Sequence, residues 1–173
     1  YYKGNFFEKY DNLIVKNRER NNQIKLICEK NSNKKIIIIV KKIEHGEILE
    51  SLISDSFLVN SHTNIKQRKL IMYNFLHNVK DFRCLIMGIK IGGVGLNIPD
   101  LDIIINASAH KSNIDTIQII GRAKRKYEGK EYGYYIDFKD SGYFNKNYTI
   151  RRKMLESKGN TNIKIISNIN EII

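Results

Sequence analysis

Between Gln118 and Arg125 the chain reads Gln-Ile-Ile-Gly-Arg-Ala-Lys-Arg. A helix advances about 100° per residue, so Gln118, Arg122 and Arg125 fall within roughly a 60° arc of its surface. Ile117, Ile119 and Ile120 point elsewhere and can anchor such a helix in a core. Gly121 borders the polar stripe, where a missing side chain lets another surface approach closely. Two guanidinium groups held about a turn apart suit a polyanion such as the terminal phosphate of a nucleotide. The same spacing also fits a solvated basic helix face, and by itself it does not separate the two.

A second phosphate-facing candidate is the loop Gly88-Ile89-Lys90-Ile91-Gly92-Gly93-Val94-Gly95-Leu96-Asn97-Ile98-Pro99. Its glycines let backbone N–H groups face an anion, although they serve a tight turn equally well. No Gly-Lys-Ser/Thr ends it, so it is not a Walker A loop. Its spacing is wrong for a dinucleotide fingerprint, and Pro99 stops any long helix there. Lys41 and Lys42 follow an apolar run and either contact phosphates or are ordinary surface lysines. Ser61-His62-Thr63 precedes a segment carrying Arg68. Taken alone, His45, His62, His77 and His110 read as packing or capping residues.

The chain shows no Gly-x-Ser-x-Gly, no paired His/Glu metal motif and no acidic pair after a strand to hold Mg2+. No metal site is expected. Arginines suited to a phosphate, with nothing to hold the rest of a nucleotide, are what half of a composite site looks like.

The elements that must position these residues alternate. Asn17 to Lys30 reads as a helix, and Ile36 to Val40 as a β-branched strand buried on both faces of a parallel sheet. Glu44 to Ile53 reads as a helix and Phe57 to Asn60 as a short strand. Asn64 to Asn78 is predicted helical, with Ile65, Leu70, Ile71, Phe75 and Leu76 as its apolar stripe. Cys84 to Met87, Asp102 to Asn106 and Tyr132 to Phe138 read as further strands. Ser112 and Asp115 make a capping-box-like start for the arginine helix. Glu128-Gly129-Lys130 reads as a turn, Phe144 to Ser157 as a basic helix, and Ile163 to Ile166 as an added edge strand. The sum is an α/β sandwich with a mainly parallel sheet, whose ligands belong beyond the carboxyl ends of the strands.

Composition bounds the partners. Lysine and arginine total 30 against 18 acids, a formal net charge of +12, which favours nucleic acid over a neutral partner. Cys28 and Cys84 lie in apolar stretches outside any metal or disulfide pattern, and read as buried packing residues of a reducing, intracellular compartment. No apolar run approaches a membrane span, and no secretory pattern opens the chain, so no membrane partner is expected. The chain begins at Tyr1 rather than Met and reads as part of something longer. Its bias toward Ile, Asn and Lys fits the AT-rich coding of some viruses, phages and low-GC microbes.

Taken in order, these pieces resemble the second RecA-like lobe of a superfamily 2 helicase. The Ile36–Val40 run with Lys41-Lys42-Ile43-Glu44-His45-Gly46-Glu47 resembles motif IV. Ser61-His62 with Arg68 and Phe75 resembles the segment between motifs IV and V. Gly95-Leu96-Asn97-Ile98-Pro99 resembles motif V, and Gln118 to Arg125 fits the motif VI pattern QxxGRxxR. The likeness covers roughly residues 17–140. Glu44-His45-Gly46 and the Tyr-Gly-Tyr-Tyr-Ile-Asp-Phe strand are similar to phage and viral DNA helicases of the UvsW type.

The resemblance implies a RecA-like three-layer sandwich divided into a lead-in from a first lobe (1–16), the C-terminal lobe (17–140) and a basic extension (141–173). It implies ATP and Mg2+ as cofactors, both bound mainly by a first lobe outside this chain. The implied partners are that lobe and nucleic acid, DNA ahead of RNA. Arg122 and Arg125 would be arginine fingers, with Gln118 ordering them. Gly93, Gly95 and Asn97 would adjoin the nucleotide. Lys41, Lys42, His62, Gly88 and Lys90 would line the nucleic-acid backbone. Arg151, Arg152 and Lys153 either extend that contact or form a solvated face.

Three positions depart from the pattern: Ile89 replaces a usual Thr or Ser, Asn97 replaces Asp, and Thr rather than Gly follows His62. The chain alone is expected to be inactive as an ATPase. The rival readings are a non-catalytic nucleic-acid- or partner-binding module and a Rossmann-type nucleotide enzyme. The second leaves Arg122 and Arg125 without a role.

Overall fold

The computed structural model describes residues 4–79, 82–89, 98, 100–111, 133–140, 142–157, 164–166 and 171. Its elements are α1 (Phe6–Tyr10), a π turn (Asp11–Val15), α2 (Arg18–Lys30), β1 (Ile36–Val40), α3 (Ile43–Leu52) and β2 (Ser56–Val59). They continue with α4 (Ile65–Leu76), β3 (Cys84–Gly88), β4 (Ile103–Asn106), β5 (Tyr134–Asp137), a 3-10 turn (Gly142–Phe144) and α5 (Asn145–Ser157).

The five strands form one sheet in the order β2-β3-β1-β4-β5. Every pairing is parallel. The central strand β1 is buried along its whole length. Its β-branched residues serve two cores, because successive side chains point to opposite faces. Ile36, Ile38 and Val40 pack with Ile24, Ile27 and Leu49 of α2 and α3. Ile37 and Ile39 pack with Phe75, Leu85 and Met87 on the α4 side. A third cluster joins Tyr10, Ile14 and Val15 to Ala109 and Phe144, so residues from both ends of the chain cover the turn after β4.

Local signals set several boundaries. Asn17 caps α2 by accepting from Arg20 N at 3.1 Å, and Asn64 caps α4 by accepting from Gln67 N at 2.8 Å. Gly46 lets α3 lie close on β2, since a Cβ there would meet Leu58 Cδ1 at 2.6 Å. Cys28 and Cys84 are buried free thiols, and a hydrogen bond to Cys28 together with burial pushes the Cys84 thiol up.

Two sequence expectations are corrected. Only part of the predicted apolar stripe of α4 packs: Ile65 is 72 % exposed and Leu70 60 %, with Leu76 also exposed. Phe75 is buried and Ile71 and Met72 pack beside it. Apolar residues surround more than half of this helix, so periodicity alone does not choose the buried face. Residues 164–166 join no strand; Ile165 is exposed, and a stretch without a buried face gains little from pairing at a sheet edge.

His45 is a packing residue, fully buried between α3 and α2. Asn21 Nδ2 donates to Val15 O at 2.8 Å, which orients the amide so that Asn21 Oδ1 accepts from His45 Nε2 at 2.9 Å. Burial, reinforced by nearby Arg20, lowers the imidazole pKa to about 3. A histidine held neutral in the fold titrates near 6.5 when unfolded, so acid favours unfolding. Its contribution is complete above about pH 6.5 and is lost as pH falls toward 3, at about 1.4 kcal/mol per pH unit. Urea unfolding over that range should lose stability more steeply in the wild type than in His45→Gln, by about this slope. Equal slopes in the two proteins would remove His45 as the cause.

Candidate nucleotide and nucleic-acid face

Three strand ends bring four of the predicted nucleic-acid residues together. Val40 of β1 is in register with Gly88 of β3, and Val59 of β2 with Met87 of β3. Gly88 therefore closes β3 between two neighbours, with Lys41 and Lys42 following β1 and the turn holding His62 following β2 on the same edge of the sheet. Among the described residues nothing lies within 4 Å of where a Cβ on Gly88 would be. Ile89, next in the chain, instead packs against the core cluster under α4.

The two lysines differ. Lys42 Nζ is paired with the Asp11 carboxylate of the N-terminal segment. Lys41 is exposed, with its Nζ 5.1 Å from the Phe6 ring and 5.2 Å from that of Tyr10. At β2, Asn60 Oδ1 accepts from His62 N at 2.8 Å and Thr63 N at 3.1 Å, while Arg68 Nη2 donates to Asn60 O at 3.0 Å. This Asx turn holds the His62 backbone and leaves its side chain exposed. The Thr63 hydroxyl accepts from Asn60 N at 3.0 Å, so the residue standing where glycine was expected is part of the turn.

The other side of the sheet's carboxyl edge holds a polar frame around residues 106–111, the stretch that leads into the Gln118–Arg125 segment. Asn106 Nδ2 donates to Tyr135 OH at 2.9 Å and to Asp137 Oδ1 at 3.3 Å, while its Oδ1 accepts from Ser108 Oγ at 2.6 Å. Tyr10 OH donates to Ser108 O at 2.6 Å, and Asn147 Nδ2 donates to Ala109 O at 3.0 Å. Arg151 is fully buried. Its Nε and Nη2 donate to the two Asp137 carboxylate oxygens at 2.7 and 3.0 Å, and its Nη1 to His110 O at 2.7 Å. Burial pushes the Asp137 carboxyl up despite this pairing, and the same hydrogen bonds hold Arg151 firmly charged against burial. Arg20, also buried, donates from Nε to Asp140 Oδ1 at 2.8 Å and lies 4.5 Å over the Phe138 ring.

Arg151 is thus corrected: it is a structural clasp, not part of a basic face. Arg152 is half-exposed and paired with Glu156 four residues on, and Lys153 is exposed. Sequence reading missed Tyr10, Asn106 and Asp137. Only their polar character inside apolar strands, or beside them, marks Asn106 and Asp137 as residues needing partners.

Gln118, Arg122, Arg125, Gly93, Gly95, Asn97 and Lys90 lie outside the described residues, as do Ser112 and Asp115. Among the described residues no group of three or more His, Cys, Asp or Glu could hold a metal ion, and no helix is long and apolar enough to cross a membrane.

The model of the helicase conserved C-terminal domain matches residues 18–127, well over half of the chain. The chain belongs to the helicase C-terminal domain family. Structures of such lobes agree in fold. The C-terminal part of the Fun30 ATPase domain superposes with a TM-score of 0.64 at 19 % identity, over 76 % of this chain and 45 % of that one. T4 UvsW gives 0.67 at 17 % identity, over 90 % of this chain and 36 % of that one. The S. cerevisiae Dbp5 L327V protein bound to RNA and ADP BeF3 gives 0.71 at 14 % identity, over 89 % and 40 %. This helicase domain spans less than half the length of each of these chains. No curated protein matches it. The mainly parallel five-stranded sheet with flanking helices is the RecA-like fold that these lobes share.

Proposed function

We propose that this domain is the C-terminal motor lobe of an ATP-dependent nucleic-acid helicase or translocase of superfamily 2, similar to the phage and viral helicases of the UvsW type. The observation that carries the reading is the family match over residues 18–127, which includes both the glycine loop after β3 and the Gln118–Arg125 segment after β4. In this reading a first lobe holds most of ATP and Mg2+. Arg122 and Arg125 reach across to the γ-phosphate and stabilise the charge that spreads over it during transfer. Gln118 orders the two arginines, while Gly93, Gly95 and Asn97 adjoin the nucleotide.

Lys41, Lys42, His62, Gly88 and Lys90 follow the strand backbone. Contacts to phosphate carry no base readout, which suits a motor that moves along any sequence. Lobe closure on ATP and reopening after hydrolysis then advance the strand. Residues 1–16 are read as the lead-in, 17–140 as the lobe and 141–173 as the extension. DNA is favoured as the track, and the protein is assigned to an intracellular site.

The test is ATP hydrolysis by the full-length protein with and without single-stranded DNA or RNA, beside the 173-residue chain alone. Stimulation by nucleic acid is expected in the full-length protein, stronger with DNA, and no hydrolysis by the chain alone. Absence of hydrolysis with tight nucleic-acid binding would instead make this a non-catalytic binding module.

A further inference from the structure

Aromatic rings gather on the surface beside Lys41, outside the segment that matches the family. Phe7 is 68 % exposed, Tyr143 52 % and Phe6 39 %. Phe6 bridges the other two, with ring centroids 5.7 Å from Phe7 and 6.0 Å from Tyr143. Beneath them, Tyr10 and Phe144 are buried; Tyr10 stacks on Phe6 at 6.2 Å and Phe144 meets it edge-on at 6.1 Å, which holds the outer rings in place. Lys9 Nζ sits 5.0 Å over the Tyr143 ring and Lys41 Nζ 5.1 Å over that of Phe6.

The nearby carboxylates are occupied. Glu8 closes the capping box by accepting from Asn5 N at 3.1 Å, and Asp11 is paired with Lys42. Lys9 and Lys41 have no carboxylate partner among the described residues. An exposed apolar patch edged with unpaired cations is costly to leave open and fits a ligand that offers both flat rings and negative charge.

We propose that Phe6, Phe7 and Tyr143, flanked by Lys9 and Lys41, form a stacking platform for the unpaired bases of single-stranded nucleic acid. The patch is continuous with the strand track through Lys41, so a strand leaving the β1–β3 edge meets it directly. Bases stack on exposed rings without sequence preference, while the lysines neutralise the adjoining phosphates. The platform rests on the motor-lobe reading and adds a grip that phosphate contacts alone do not supply.

The experiment is equilibrium binding of a labelled single-stranded oligonucleotide to the full-length protein over a range of salt concentrations. Phe7→Ala and Tyr143→Ala should each weaken binding by about 5- to 150-fold. Phe7→Trp should bind at least as tightly as wild type. The dependence of affinity on salt should keep its slope in Phe7→Ala, because no phosphate contact is lost. In Lys41→Ala the slope should fall by about 0.7. Wild-type binding in both ring variants would overturn the platform and leave the motor-lobe reading intact. A wild-type protein with no affinity for single strands would overturn both.

Discussion

Arg122→Ala and Arg125→Ala are each expected to lower nucleic-acid-stimulated ATP hydrolysis by about 10³- to 10⁵-fold in the full-length protein, with nucleic-acid binding retained. The size follows from the role proposed for the two guanidinium groups. Phosphoryl transfer spreads negative charge over the γ-phosphate oxygens, and donors fixed in a water-excluded cleft act most strongly as that charge develops. Lysine should not rescue either position, because an ammonium cannot present the planar fork that meets two phosphate oxygens at once. The loss should fall on kcat far more than on the half-saturating ATP concentration, since in the proposed motor a first lobe would hold most of the nucleotide. A solvated basic helix face would give a different result: hydrolysis unaffected by either substitution. That outcome would remove the arginine-finger role and leave the fold assignment untouched.

Arg151→Ala is expected to destabilise the fold by about 3–5 kcal/mol, read by urea unfolding. Arg151 makes three hydrogen bonds from full burial, two to Asp137 and one to His110 O. Alanine leaves the Asp137 carboxylate buried without its counter-charge, and leaves a cavity as well. A loss of this size is a large share of the roughly 5–15 kcal/mol that holds a domain together.

The deficit has a pH signature. Burial already pushes the Asp137 carboxyl up, and removing the guanidinium pushes it further. A carboxyl raised above its unfolded value is tolerated best when protonated, so its cost appears as pH rises through the folded pKa. The variant should therefore be most deficient near neutral pH and recover relative to wild type on acidification. Adding Asp137→Asn should recover part of the loss, because it removes the stranded charge and keeps a side-chain acceptor for Asn106. A cost under about 1 kcal/mol would contradict the clasp and return Arg151 to the basic extension.

Much of the architecture was legible because its causes are local. The β-branched run Ile36–Val40 and the apolar stretch Cys84–Met87 could satisfy their side chains only between two layers, and the sheet buries both. Asn17 and Asn64 marked helix starts because their side chains bond three residues on. The order of the glycine loop and the QxxGRxxR segment likewise lies in the sequence itself, and the family match spans both.

What the sequence could not reveal depends on partners far along the chain. The stripe expected on α4 ran wider than its buried face, and only the seat of Phe75 against the sheet, with Ile71 beside it, chose the part that packs. Arg151 read as one more cation in a basic tail until its bonds to Asp137 and His110 were seen. Tyr10 carried no pattern at all, since its meaning is a hydrogen bond to Ser108, 98 residues away. The exposed rings of Phe6, Phe7 and Tyr143 meet in the same way, brought together from opposite ends of the chain. Periodicity and capping register interactions within a few residues. A buried charge pair or a shared surface forms only when the chain closes on itself, and that closure is a property of the tertiary structure.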